Sequence, residues 1–358
     1  MRVLVTGGAG FVGSQLALAF KRDWPQCRVV ALDNLKRRGS ELALRRLAQG
    51  GVEFLHGDIR NREDLGAAGP ADLLIECSAE PSVQAGLDGG ERYLINTNLV
   101  GTIHCLDHAR AHGAAVIFVS TSRVYPIAPL RELPLATENQ RFVIPETARG
   151  VGWSARGIAE DFPLTGSRSL YGASKLCSEL MIAEYVALFG LRAVINRCGV
   201  LTGPWQMSKV DQGFVVLWAA RHLYGGTLSY NGFGGTGLQV RDILHIGDLC
   251  RLIATQAQAI ERHSGKTYNV GGGIGCSVSL AELSEACAAR AGHAIAIGSE
   301  SQTNPVDIPY YVSDHSAVSA ATGWRPQLSR DDIVDDVFAW LNRHRDEVEP
   351  VLSGSVAS

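Results

Sequence analysis

The run Val5-Thr6-Gly7-Gly8-Ala9-Gly10-Phe11-Val12-Gly13 constrains this chain more than any other stretch. An apolar segment, residues 2–5, leads into it, and a helical pattern with Phe11, Leu16, Ala19 and Phe20 on one face leads out. Chemistry at such a strand-to-helix turn follows from its glycines. Gly7 permits the tight turn, Gly10 lets the backbone approach a diphosphate, and Gly13 lets the helix settle against the strand. The helix start at Phe11 and Val12 then presents unsatisfied N–H groups and its positive end to the anion. Asp33 ends the next apolar segment, 28–32, twenty positions after Gly13, where a carboxylate can accept hydrogen bonds from an adenosine ribose. Together these features predict a dinucleotide site rather than an ordinary glycine turn.

A chain of 358 residues can bury a full core, as one large α/β unit or as a nucleotide-binding domain with a smaller partner; the second is the expectation here. Charged residues make up 19% and the formal net charge is −3, a balance that suggests neither nucleic acid nor an anionic membrane surface as partner. No apolar run approaches the roughly 20 residues of a membrane helix, and the N-terminus reads as a strand rather than a signal peptide. The expected location is therefore cytoplasmic. Cys27, Cys77, Cys105, Cys177, Cys198, Cys250, Cys276 and Cys287 are scattered without a CxxC or a Cys/His ligand spacing, which predicts reduced thiols and no metal site.

Strands and helices alternate through the first half: strand 2–6, helix 11–22, strand 28–32, helix 40–48, strand 52–55, strand 72–76, helix 91–112, strand 114–119. This rhythm predicts an α/β fold, a Rossmann-type doubly wound parallel sheet with a smaller C-terminal α/β domain. Ligands of such sheets bind beyond the carboxyl ends of the strands. Asp58, after the third strand, can accept an adenine amino group there or serve as a loop-capping residue. Cys77, Ser78 and Ala79 end the fourth strand with side chains small enough for a cofactor to lie against. Lys36, Arg37 and Arg38 raise the question of a 2′-phosphate, but Asp33 would repel it, so NAD is the expected cofactor and the triplet reads as a solvated loop or a diphosphate contact.

The fifth strand delivers Ser120, Thr121 and Ser122 to the same edge. Some fifty residues later, Tyr171-Gly172-Ala173-Ser174-Lys175 opens a helix that runs to Phe189. Tyr171 and Lys175, four apart, share one helical face. Bringing a tyrosine from a pKa near ~10 to about 7 takes roughly 4 kcal/mol of preferential phenolate stabilisation, which a neighbouring ammonium and a nicotinamide cation can supply.

With these pieces in place the chain resembles an extended short-chain dehydrogenase/reductase of the nucleotide-sugar epimerase/dehydratase family. The match spans VTGGAGFVG, Asp33-Asn34-Leu35, Gly57-Asp58-Ile59-Arg60, the NLVGT segment at 98–102, STSRVY, YGASK, QVRDILH at 239–245 and NVGG at 269–272. Within the family, DNLKRRGSE, GDIRN, VDQG at 210–213 and GLQVRDILH are most similar to CDP-paratose (CDP-tyvelose) 2-epimerases. The resemblance implies a catalytic Thr121, Tyr171 and Lys175, cofactor contacts that also include Asn34, Ile59 and Asn98, and substrate contacts from Thr121, Ser122, Arg123, Gln212, Arg241 and Asp307. It implies epimerisation of a nucleotide-diphosphate sugar, a CDP-sugar by preference, by transient hydride transfer to bound NAD, rotation of the keto sugar and hydride return, at C2 or C4. It further implies a homodimer through helices 91–112 and 171–189.

Position 123 separates reactions within the family. Dehydratases resemble T-D-E-V-Y and decarboxylases T-S-E-V-Y, whereas Arg123 leaves no carboxylate here to move protons at carbon, so elimination is disfavoured. Arg123 reads as a substrate contact or a salt-bridged loop residue, Arg241 as a diphosphate clamp and His245 as structural. Asn304 stands where the family pattern R-P-x-D carries its arginine. A net NAD(P)-dependent reductase or dehydrogenase, and a dinucleotide-binding sensor or scaffold, are the competing functions. The expected domains are 1–197 for cofactor and catalysis, 198–349 mostly for substrate with 240–262 returning to the first, and a frayed tail at 350–358. Segments 200–240 and 265–325 are assigned to the smaller domain, 126–168 to a cover over the site, and 330–345 to a closing helix.

Overall fold

The computed structural model describes residues 1–87, 89–207 and 213–353. Seven strands form one parallel sheet: β1 (Arg2–Thr6), β2 (Arg28–Asp33), β3 (Glu53–His56), β4 (Leu73–Glu76), β5 (Ala115–Thr121), β6 (Ala193–Cys198) and β7 (Lys266–Val270), in the order β7-β6-β5-β4-β1-β2-β3. Val5 lies beside Ala31 and Ile75, and Cys198 beside Thr121. Central strands of this kind are covered on both faces, and Val3, Val5, Ile75 and Ile117 on one side and Leu4, Leu74, Val116 and Phe118 on the other are all buried. The strand order reverses between β1 and β4, which opens a crevice at their carboxyl ends.

Helix α1 (Phe11–Asp23) buries Leu16, Ala17 and Phe20 against the sheet. The helix expected at 91–112 is interrupted: Glu91–Ile95 passes through a π-helical turn, Asn96–Val100, into α2 (Gly101–His112). Helix α3 (Leu170–Phe189) starts at Ser169, whose hydroxyl accepts from the Gly172 amide at 3.2 Å, and stops at left-handed Gly190. A short helix, Arg62–Ala67, fills what the sequence pattern showed as a strand-to-strand connection, being too brief for a clear period.

A second core gathers helices Phe214–Tyr224, Leu280–Ala291 and Arg330–Arg343 through Val216, Leu283, Cys287, Ile333, Val337 and Leu341. Beside it, Val240–His245 pairs with Val200–Thr202, Ser277–Ser279 and Tyr310–Tyr311. Helix α4 (Ile246–Gln258) crosses back, placing Leu249, Leu252 and Ile253 in the cluster that holds Leu16 and Phe20.

Three expectations are corrected. Residues 266–270, assigned to the smaller unit, form β7, and Val318 and Trp324 join the first core with it. The excursion 126–168 does not cover the crevice. Its short strands and the helix Ile127–Arg131 bury Leu130, Leu133, Ile144, Ile158 and Phe162 against Tyr125, Tyr310 and Val312, because those apolar residues find an apolar wall there. Ile158 N donates to Val312 O at 2.7 Å and Ile158 O accepts from Asp314 N at 2.8 Å. Finally, Pro350 does not start a frayed tail: Arg345–Leu352 is helical and buries Val348 and Leu352 in the second core. The remaining tail residues, 354–358, lie outside the described residues.

Candidate active site

A cavity of about 700 Å³ runs along the carboxyl ends of the sheet from the glycine turn to the second unit. Gly7, Gly10, Phe11, Val12 and Gly13 line one end. Gly7 has φ +64°, and a Cβ there would sit 2.9 Å from the Cys77 carbonyl carbon and oxygen, so both conformation and space demand glycine. Asp33 braces the turn: its carboxylate accepts from the Ala9 amide at 3.1 Å and the Leu35 amide at 2.7 Å, while burial pushes its pKa up. Asn34 donates to Asp58 at 2.8 Å, and Arg60 pairs with the same carboxylate at 2.6 Å. Burial opposes the charge on Asp58, but these donors outweigh it and hold the pKa down to about 2. Ile59, Cys77, Ser78 and Ala79 complete this wall. A glycine-rich turn opening a helix, followed by Asp33 and the ionised Asp58, fits the diphosphate and ribose of NAD.

Two residues assigned to ligands stand differently. Asn98 sits behind the cavity wall, where it accepts from Glu80 N at 2.8 Å and donates to Glu80 O and Ser174 Oγ, each at 3.1 Å. It thereby ties the loop after β4 to α3. Gln212 falls outside the described residues, as do the first three residues of the VDQG stretch. Lys36, Arg37 and Arg38 line the cavity from a loop in which Lys36 and Arg38 are exposed, with Lys36 Nζ 3.1 Å over the Tyr93 ring.

Thr121, Ser122, Arg123, Tyr171 and Lys175 meet at the middle of the cavity. The end of β5 and the turn after it supply the first three residues and the first two turns of α3 the last two, so register and helix phase together bring them to one place. Burial pushes the Tyr171 phenol up to about 12; Thr121 and Arg123 draw it down, and Glu76 opposes them. Burial lowers the Lys175 pKa and Glu76 raises it. The ammonium lies 3.8 Å over the Phe118 ring and 3.8 Å from Glu76. At the far end Arg241 donates to Asp307 at 2.8 Å and to Ile308 O at 2.7 Å, and Arg123 stands 3.8 Å from the same carboxylate. Burial lowers Arg241 to about 10. Asn304 lines the cavity with its Oδ1 accepting from Val306 N at 3.1 Å. His245 caps α4 through Gly247 N at 3.0 Å and contacts Asp336 at 3.0 Å.

Sequence reasoning missed three residues beneath the site. Glu76 ends β4 fully buried, and Glu179, one turn after Lys175, pairs with Arg197 of β6 at 2.7 Å. The signal was present: an ionisable residue within an apolar strand, or on the buried face of a helix, must find a partner.

A model of the NAD dependent epimerase/dehydratase family matches residues 3–271. The chain belongs to that family. The CDP-paratose 2-epimerase of Salmonella typhi is 28% identical over 354 residues, covering 96% of this chain and 99% of the relative. A dTDP-glucose 4,6-dehydratase of an Actinoplanes species is 29% identical over 358 residues, covering 96% and 99%. Among solved structures, the dTDP-glucose 4,6-dehydratase DesIV of Streptomyces venezuelae, a double mutant with NAD bound, superposes with a TM-score of 0.78 at 29% identity, over 98% of this chain and 100% of that one. The chain is thus an NAD-dependent enzyme of the epimerase/dehydratase family, with the fold and the cofactor that its glycine turn predicted.

Proposed function

We propose that the chain epimerises a nucleotide-activated sugar, a CDP-sugar by preference, and keeps its NAD bound throughout. The observation that carries this reading is the meeting of Thr121, Tyr171 and Lys175 in the middle of a cavity whose one end is the dinucleotide turn, with Arg123 rather than a carboxylate two positions after Thr121. When bound, NAD supplies the hydride acceptor and donor that oxidation and re-reduction of the sugar carbon require. Tyr171 removes the proton from the sugar hydroxyl as a phenolate and later returns it. Thr121 hydrogen-bonds the same oxygen and fixes its distance from the phenol. Lys175 holds the cofactor ribose and lowers the tyrosine pKa; its charge must offset the burial that raises the phenol. Arg123 and Arg241 face the sugar diphosphate, with Asp307 setting their separation through its contact to both. In this reading residues 1–197 carry the cofactor and the catalytic groups, and most of 198–349 carries the substrate. The similarity to the 2-epimerase of Salmonella typhi supports a C2 reaction on a CDP-sugar.

The same reading makes the protein a homodimer in the cytoplasm. Leu180, Leu188 and Phe189 on α3 and Ile95 on the preceding helical segment are exposed, a set of large apolar side chains on the helices that would pair.

Proton NMR of the purified protein with CDP-, UDP-, GDP- and dTDP-hexoses, without added cofactor, tests the function. Interconversion of one epimer pair is the expected result, abolished by Tyr171→Phe with NAD still bound. A requirement for added NAD(P)H would favour a net reductase, and full activity of Tyr171→Phe would remove the tyrosine from the chemistry.

A further inference from the structure

Beneath the catalytic lysine lies an acid that the mechanism above leaves unused. Glu76, the last residue of β4, has no solvent exposure, and among the described residues neither of its carboxyl oxygens has a hydrogen-bond partner. A buried carboxylate without donors is strongly disfavoured, so something specific must account for it. The cation paired with it is the Lys175 ammonium, 3.8 Å from Oε2, itself buried at the cavity wall. That separation is too long for a direct hydrogen bond yet short enough for a strong Coulombic interaction in a dry interior.

We propose that Glu76 is a positioning residue for Lys175, and that its carboxyl group decides how much of the lysine charge reaches the Tyr171 phenol. The proposal rests on the roles given above to Tyr171 and Lys175. As an anion, Glu76 holds the ammonium toward the sheet and neutralises its field. As a neutral acid it releases that charge to the phenol, favouring phenolate. Burial pushes Glu76 up to about 7, against which Lys175 acts, so both forms exist near neutral pH. The groups around it do not supply another control. Thr6 of β1 and the Ser78 amide favour the anion without forming a geometric hydrogen bond. Cys105 of α2 and Cys198 of β6 are buried thiols and Cys77, next to Glu76, is a half-buried one, all with raised pKa values. Glu179 of α3 is already matched by Arg197, and Tyr171 itself is raised by the Glu76 charge.

The experiment compares the NAD-loaded protein with its Glu76→Gln and Glu76→Leu variants by ultraviolet titration of phenolate, using Tyr171→Phe to identify the Tyr171 step, alongside the pH profile of epimerisation. Both substitutions remove the charge, so the Tyr171 step is expected to move to lower pH by about one unit, a tenfold gain in phenolate at a fixed pH on its rising limb. The acid limb of the activity profile should move with it. A step that stays in place, or moves up, in either folded variant overturns the proposal. If neither variant folds, the carbon-13 carboxyl signal of labelled Glu76 in the unaltered chain decides. Titration near neutral pH upholds the proposal, and an ordinary carboxylate titration overturns it. Activity retained by Tyr171→Phe would instead strike at the reading of the tyrosine, so the two failures are distinguishable.

Discussion

Replacing Glu179 by Gln should unfold the protein more readily than any surface change, because it strands a buried guanidinium. Arg197 Nε reaches the Glu179 carboxylate at 3.2 and 3.0 Å and Nη2 reaches it at 2.7 Å, while Ser120 Oγ donates to it at 2.5 Å. Arg197 and Glu179 are 7% and 4% exposed, so water cannot replace the lost charge. Removing one partner of such a pair costs about 3–5 kcal/mol, since the survivor remains buried and unpaired. For a chain of this size, at about 2 °C per kcal/mol, the melting temperature should fall by about 6–10 °C. Thermal unfolding of Glu179→Gln, Arg197→Met and the double variant forms the assay. The double variant should lose at least about 1 kcal/mol less than the sum of the singles, because it leaves no charge uncompensated. Strictly additive losses, or a Glu179→Gln variant within about 1 kcal/mol of the parent, would refute the argument. The pair matters for the site because it joins α3, one turn past Lys175, to β6 and to the strand that ends in Thr121.

Gly13→Ala should abolish NAD binding: its Cβ would overlap the Gly7 carbonyl group and force the turn to shift, and calorimetry showing unchanged affinity would contradict the packing. Asp242, fully buried, is pushed up to about 6 from 3.8 by burial. Between those pH values the unfolded chain has lost a proton that the folded chain keeps, so stability falls by about 3 kcal/mol as pH rises and then levels off. Asp242→Asn should remove that slope, and urea unfolding of both forms at pH below and above this window checks it. Leu188→Glu places a charge among the exposed apolar side chains of α3 and should convert a dimer to monomers in light scattering; an unchanged mass would place the interface elsewhere.

Features written in a few adjacent residues were legible in the sequence. The glycine turn, Asp33 at the end of β2, and the Tyr171/Lys175 spacing each combine local conformation with chemistry, and the structure brings them to one cavity. Features that depend on distant partners were not. The pairing of Arg123 and Arg241 through Asp307 joins segments more than 60 residues apart, and nothing in QVRD states that its arginine is already partly neutralised. The excursion 126–168 reads as a loose cover because its strands are two or three residues long; its apolar residues find their wall largely on residues far along the chain, among them Val240, Ile308, Tyr310 and Val312. Pro350 suggested a frayed end, yet it sits inside a helix held down by Val348 and Leu352. Glu76 is a single acidic letter at a strand end, and its meaning comes from Lys175, 99 positions later.

The route of the chain between β6 and β7 has a consequence for how the protein is made. β7 begins only after the 67 residues that follow β6, with α4 among them, so a growing chain holds the Rossmann sheet without its edge strand β7 while part of the second unit is synthesised. In that interval β6, whose six residues are all buried in the finished protein, is itself the edge that offers unpaired N–H and C=O groups, and Leu16 and Phe20 lack the cover of α4. A fragment ending at residue 197 would be trapped in that state, and the two units should therefore mature as one cooperative body, not in sequence.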